Sequence, residues 1–184
     1  MVSYFRRGNG EFRTGGSYMY QVGELLVYGV HGVCRVLAEE QRLVDRKKVT
    51  YLVLEPIGQE GAKFLVPTHN AAAMAKLCPM LKREALEALL ESPGIRNEMW
   101  IQDENRRKQL YRELIGSSDR ERLLAMIRLI LRHKEEQLAA GRKCHLCDDN
   151  FLRDAKKILT SEFSLVLGIS PGEVAEYIEK KLNE

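Results

Sequence analysis

The chain has 184 residues, of which 45% are hydrophobic and 30% charged, with a formal net charge of +3. That is the balance of an ordinary globular protein, long enough for one medium domain or two small ones. No stretch has the apolar length of a membrane-crossing helix and no secretory leader opens the sequence, so the cytosol is the expected compartment and no membrane partner is expected.

Residues 1–18 are rich in Gly, Arg and Ser, lack periodicity, and read as a disordered arm. Patterned sequence begins at Met19. Leu25 to Tyr28 reads as a strand, followed by a turn with glycine at both ends, Gly29-Val30-His31-Gly32. Val33 to Ala38 is a second strand, with Val33 and Leu37 on one face and Cys34 and Val36 on the other. Arg42 to Lys48 reads as a long charged linker at a hairpin tip, and Val49 to Leu54 as a central strand. Lys63 to Val66 is a further strand, stopped by Pro67. Four or five short antiparallel strands predict a small Tudor- or SH3-like barrel over residues 19–70.

Residues 71–184 change to helical periodicity. Leu81, Ala85, Leu86, Leu89 and Leu90 mark one apolar face, ended by Ser92-Pro93-Gly94. Asp103 to Ile115 reads as a basic helix with Leu110, Tyr111 and Leu114 inward, stopped at Gly116. Ser118-Asp119-Arg120-Glu121 has the pattern of a capping box. The helix behind it carries Leu123, Leu124, Ile127, Ile130, Leu131 and Leu138 as a wide core face. Asp148 or Asp149 caps the next helix, with Phe151, Leu152, Ala155, Ile158, Leu159 and Phe163 inside. Ser170-Pro171-Gly172-Glu173 is a second capping box, and Val174, Ile178 and Leu182 face inward from the last helix. The predicted fold is α+β: an antiparallel barrel followed by an all-α bundle.

The four cysteines are Cys34, Cys78, Cys144 and Cys147, and with no export signal they read as reduced thiols. Cys144-His145-Leu146-Cys147 has the spacing with which two thiolates share a zinc, but a closed site needs about four ligands and no second local pair is present. No metal and no cofactor are expected; this segment reads as the junction before a helix. Phosphate-binding glycine loops, nucleophile elbows and paired-histidine motifs are absent. His31, His69, His133 and His145 are scattered, and no nucleophile is patterned beside any of them. An enzyme is not expected.

Trp100 is the only tryptophan, and it stands in the polar run Arg96 to Asp103 just before Arg106-Arg107-Lys108 and Arg112. Between Arg96 and Lys134 ten Lys or Arg face six Asp or Glu, a local excess of positive charge. A large flat side chain beside cations suits a nucleic-acid groove flanked by phosphates. The plainer reading is a tryptophan packed at a domain junction beside a solvated helix face.

These residues resemble the CarD/CdnL family of bacterial transcription regulators. The resemblance runs from about Met19 to Leu182. It is carried by Tyr20-Gln21-Val22-Gly23-Glu24 leading into Val27-Tyr28 and His31-Gly32-Val33, then by Tyr51-Leu52-Val53-Leu54 and Val66-Pro67. It continues through Trp100, Arg106-Arg107, the break at Gly116 to Asp119, and Ala155-Lys156-Lys157-Ile158-Leu159 with Glu162-Phe163. The resemblance implies a Tudor-like domain that docks on the RNA polymerase β subunit. It also implies a helical domain that meets promoter DNA at the upstream edge of the melted bubble. By position, Arg42 and Val44 fall on the hairpin used for docking. Leu65 stands where relatives often carry a basic residue, and Lys63 is the substitute charge. Trp100 matches a minor-groove wedge, with Arg106, Arg107, Lys108, Arg112 and Arg96 as expected phosphate contacts. Such a protein stabilises the open promoter complex through its differential affinity for melted DNA. The alternatives are a polymerase-binding adaptor without direct DNA contact and a metal-dependent enzyme or sensor built on Cys144, His145 and Cys147. A monomer is the expected state.

Overall fold

The computed structural model describes residues 20–142 and 146–183. Its first part is a five-stranded antiparallel sheet: β1 (Leu25–Tyr28), β2 (Val33–Val44), β3 (Lys47–Pro56), β4 (Phe64–Pro67) and β5 (Leu77–Pro79), in spatial order β4-β3-β2-β1-β5. The pairings run from β4 to β5 without closing the sheet on itself. β5 lies past residue 70, where the helical region was expected to begin. It is three residues long, too short to show any periodicity.

The predicted linker from Arg42 to Lys48 is strand instead. β2 and β3 pair to the end of a long hairpin, Val44 opposite Lys47, with only Asp45 and Arg46 between them. Both turn residues take positive φ, 49° and 64°, the conformation a two-residue turn needs to match strand twist. Glycine is the usual marker of that turn, and its absence hid the turn in the sequence. A register shift between Val36 and Ala38 leaves Leu37 as an extra residue that bends β2.

One side of the sheet packs Leu26, Cys34, Val36, Leu52, Leu54, Val66 and Leu77 into a small core. Burial there pushes the Cys34 thiol pKa up to about 11, which keeps it protonated and inert. Where β1 meets β2, Val27 and Val33 are buried as well, so these strands are covered on both faces.

The helices are α1 (Ala71–Met74), α2 (Arg83–Leu90), α3 (Pro93–Asn97), α4 (Glu104–Ser117), α5 (Arg120–Ala139), α6 (Leu146–Leu167) and α7 (Pro171–Asn183). The apolar faces of α2 to α7 meet in one core that includes Leu86, Ile95, Leu123, Met126, Ile127, Leu159, Phe163 and Ile178, while Ala73 and Met74 of α1 pack against the sheet core. Ser92, read as part of a stop, also caps α3 by accepting from Gly94 N. α4 runs on through Gly116 to Ser117. Ser118 is left-handed (φ 60°) and donates its hydroxyl to the Lys76 carbonyl rather than capping α5. Asp119 takes that role by accepting from Arg122 N, and Glu121 bonds Ser92 Oγ instead. Leu138, expected inside, is 62% exposed, one residue before the end of α5. The capping box before α7 is as predicted: Ser170 N donates to Glu173 at 2.8 Å and Glu173 N to Ser170 Oγ at 3.4 Å.

Two consecutive residues of α6 fasten the helices to the sheet. Val33 N donates to Ser161 Oγ at 2.8 Å. Gly32, at φ +72°, passes so close that an added Cβ would lie 2.8 Å from Ser161 Cβ, which only glycine tolerates. Next along, the buried Glu162 accepts from Arg120 at 2.6 and 2.9 Å and from Leu81 N at 2.7 Å. Arg120 also donates to the Pro79 carbonyl at 2.8 Å. β5, the segment that follows it, α5 and α6 therefore meet at one satisfied polar centre.

Candidate nucleic-acid interface

Trp100 sits in the extended segment between α3 and α4, half-buried against the helical core. His133, on α5, stacks on the indole with centroids 3.8 Å apart and planes 15° from parallel. Arg107, on α4, places its Cζ 4.4 Å from the indole centroid, a cation–π contact. Met99 beside it is 82% exposed, so the tryptophan lies at the surface although the protein has already covered part of its ring. This differs from a free-standing wedge: half the ring is platform.

Arg107 is not a surface cation, and its place as an expected phosphate contact does not stand. Its side chain is 4% exposed and that of Asp148 7%. Nε and Nη2 of Arg107 donate to the two carboxylate oxygens of Asp148, each at 3.1 Å. Nη1 donates to the carbonyl of Ile101 at 2.8 Å. The helical repeat explains this burial, since Arg107, Tyr111 and Leu114 share the inner face of α4. Tyr111 packs edge-on against Phe151 of α6 at 5.5 Å. Burial first, and then the charge of Asp148, push the Tyr111 phenol well above its usual range. Asp148, which with Asp149 was one of two residues expected to cap α6, lies inside its first turn and serves as the acceptor for a buried guanidinium.

Arg106 and Arg112 are exposed, while Lys108 is partly covered and paired with Glu104 one turn back. Lys108 and Arg112 lie one turn apart on one side of the buried face of α4, and Arg106 lies on the other side. Arg96 is exposed on α3 and donates weakly to the Glu91 carbonyl at 3.5 Å. α3 packs along α5, where Arg128 and Arg132 follow one another by a turn just before His133. Nε and Nη1 of Arg128 are shut off from solvent and have no hydrogen-bond partner among the described residues. Burial, followed by the nearby charges of Arg132 and Arg96, lowers the Arg128 pKa. Arg96, Arg128 and Arg132 are thus a cationic cluster on the elements that hold Trp100. The sequence showed Arg128 and Arg132 only as members of a charged stretch. The missing signal is the packing of α3 on α5.

On the sheet, Arg42 is half-exposed and bonded to Glu40 at 2.9 Å. Leu43 is 73% exposed, Val44 40% and Leu65 38%. Lys63 is exposed but precedes β4 rather than lying on it. The expected docking residues thus fall into two groups, one at the hairpin tip and one on β4 at the sheet edge. His31, in its turn, packs against Phe64 with centroids 4.3 Å apart and rings tilted by 39°, and its pKa is lowered by partial burial and then by Lys76.

Among the described residues no three His, Cys, Asp or Glu side chains gather as a metal would need, and no helix is long and apolar enough to cross a membrane. Cys144 and His145 of the expected zinc alternative lie outside the described residues, and Cys147 is a free thiol. A sheet module joined to a helical module, with an aromatic platform and cations at its surface, is the build of a macromolecule-binding protein. Residues 20–78 match the family model described as the CarD-like/TRCF RID domain, and residues 84–179 match that of the CarD C-terminal domain. The chain belongs to the CarD family, a family of non-enzymatic transcription factors that interact with RNA polymerase.

Proposed function

We propose that this protein docks through a Tudor-like sheet module on the β subunit of RNA polymerase and stabilises the open promoter complex with its helical module. The observation that carries the reading is the surface around Trp100. A fixed indole stacks on α5, the helix that carries Arg128 and Arg132, and Arg96 on the neighbouring α3 adds its charge to theirs. A backbone phosphate is drawn to that concentration of positive charge, and is held without reading sequence. Arg106, Lys108 and Arg112 add weaker, longer-range attraction.

The platform also defines how the tryptophan meets DNA. With His133 on one face, the ring cannot be sandwiched between two bases unless it leaves its stack. Arg107 lies over the ring as well, so what the indole offers DNA is its edge, at the floor of a distorted groove. Intact duplex takes that shape only by unstacking a step, which costs a few kcal/mol. The upstream edge of a melted bubble already has it. Binding therefore favours the open state, and a differential of about 1.4 kcal/mol shifts the open-to-closed ratio about tenfold. Docking of the sheet module on polymerase raises the effective concentration of the weak DNA contact. The exposed hairpin tip, with Arg42, Leu43 and Val44, and the β4 edge at Leu65 are the surfaces for that docking, and the protein acts as a monomer.

The test is the lifetime of the open complex formed by cognate polymerase. Trp100→Ala shortens it while polymerase binding persists, whereas Arg42→Glu weakens polymerase binding itself. A Trp100→Ala protein that binds polymerase and leaves the lifetime at the wild-type value overturns the DNA contact and favours a protein-only adaptor.

A further inference from the structure

We propose that Asp148 and Arg107 form a positioning device for Trp100, so that the first turn of α6 sets the orientation of the DNA-contacting ring. The proposal rests on the reading of Trp100 given above and names the residues that make it work.

The geometry is over-determined. Two parallel hydrogen bonds to Asp148 fix both the direction and the plane of the guanidinium. The remaining nitrogen, Nη1, holds the backbone carbonyl of Ile101, the residue after the tryptophan. The guanidinium then lies over the indole at 4.4 Å. One side chain therefore grips the Trp100 segment by its main chain and by its ring, and Asp148 grips that side chain from 41 positions further along the chain. His133 completes the enclosure by stacking on the ring.

A simple fastening of α4 to α6 would not need this arrangement. Tyr111 and Phe151, each one turn further along α4 and α6, already join these helices through an edge-on aromatic contact. Replacing a buried ion pair by apolar residues is often neutral or stabilising, so such pairs are weak evidence for stability. What the pair supplies beyond cohesion is direction: a planar fork with one orientation. Lysine, a point charge on a flexible stem, would pair with Asp148 without fixing a plane.

The single tryptophan makes the test direct, since all indole fluorescence reports on Trp100. In the full-length protein, the double variant R107M/D148L removes the pair without stranding a charge. Its unfolding midpoint and polymerase binding are expected to match wild type. Acrylamide quenching of Trp100 is expected to rise, and the open-complex lifetime to fall toward that of Trp100→Ala. Arg107→Lys keeps the charge and loses the fork, and is expected to show the same loosening in smaller measure, which also covers a double variant that fails to fold. Unchanged quenching in the folded variants overturns the positioning role. A wild-type lifetime in Trp100→Ala would overturn the DNA reading instead, and quenching would still decide the positioning.

Discussion

The hairpin tip and the Trp100 platform are built in opposite ways. Asp45 and Arg46 are held by strand pairing between immediate neighbours, and the side chains around them are mostly in solvent. Trp100 is held by residues from α4 and α5, and through Arg107 by α6, in an environment with little water. A surface made locally tolerates change, since its residues support nothing else. A surface made by long-range buried polar contacts is fixed in shape, and each member is costly to lose.

That contrast can be broken by single substitutions. Asp148→Ala leaves the Arg107 guanidinium buried and unpaired, a loss of about 3–5 kcal/mol, read as a fall in the chemical unfolding midpoint. A loss below about 1 kcal/mol would mean that Arg107 escapes to solvent, and the platform is less rigid than described. At the hairpin, Arg46→Gly relieves a side chain held at φ 64°. It is expected to leave stability unchanged or raise it by up to about 1 kcal/mol, measured in the same way. A clear destabilisation there would show that the Arg46 side chain has a structural partner. The smallest effect belongs to Glu173, whose carboxyl is held below its ordinary 4.5 by hydrogen bonds from Ser170. A depressed acid stabilises the fold above its unfolded pKa and loses that contribution as pH falls through the folded value. The difference in melting temperature between wild type and Glu173→Gln should therefore shrink as the pH is lowered below 4.5.

The same distinction governs what the sequence revealed. Helices with a broad apolar face were legible, down to Val174, Ile178 and Leu182 on α7, because a 3.6-residue period survives without tertiary knowledge. The capping box at Ser170 was legible because both partners are three residues apart. The one at Ser118 misled, since a lattice of distant contacts redirects Ser118 to Lys76 and Glu121 to Ser92. Trp100 stood out by its isolation among polar residues, yet its stacking partner His133 did not. Arg107 read as one more cation in a basic run. Its burial follows from its place beside Tyr111 and Leu114 on α4, a periodicity that its charge obscured. The Asp45–Arg46 turn lacked glycine and looked like a linker.

One consequence follows from α6 alone. Asp148 lies in its first turn, while Ser161 and Glu162, which hold the sheet, lie more than three turns further on. At 1.5 Å per residue the two ends of this span are roughly 20 Å apart. The helix is therefore a ruler, one mark fixing the indole and the other fixing the module that grips polymerase. Lengthening it by a single residue would turn one mark about 100° relative to the other, so the relative setting of the indole and the sheet is written into the length of one helix.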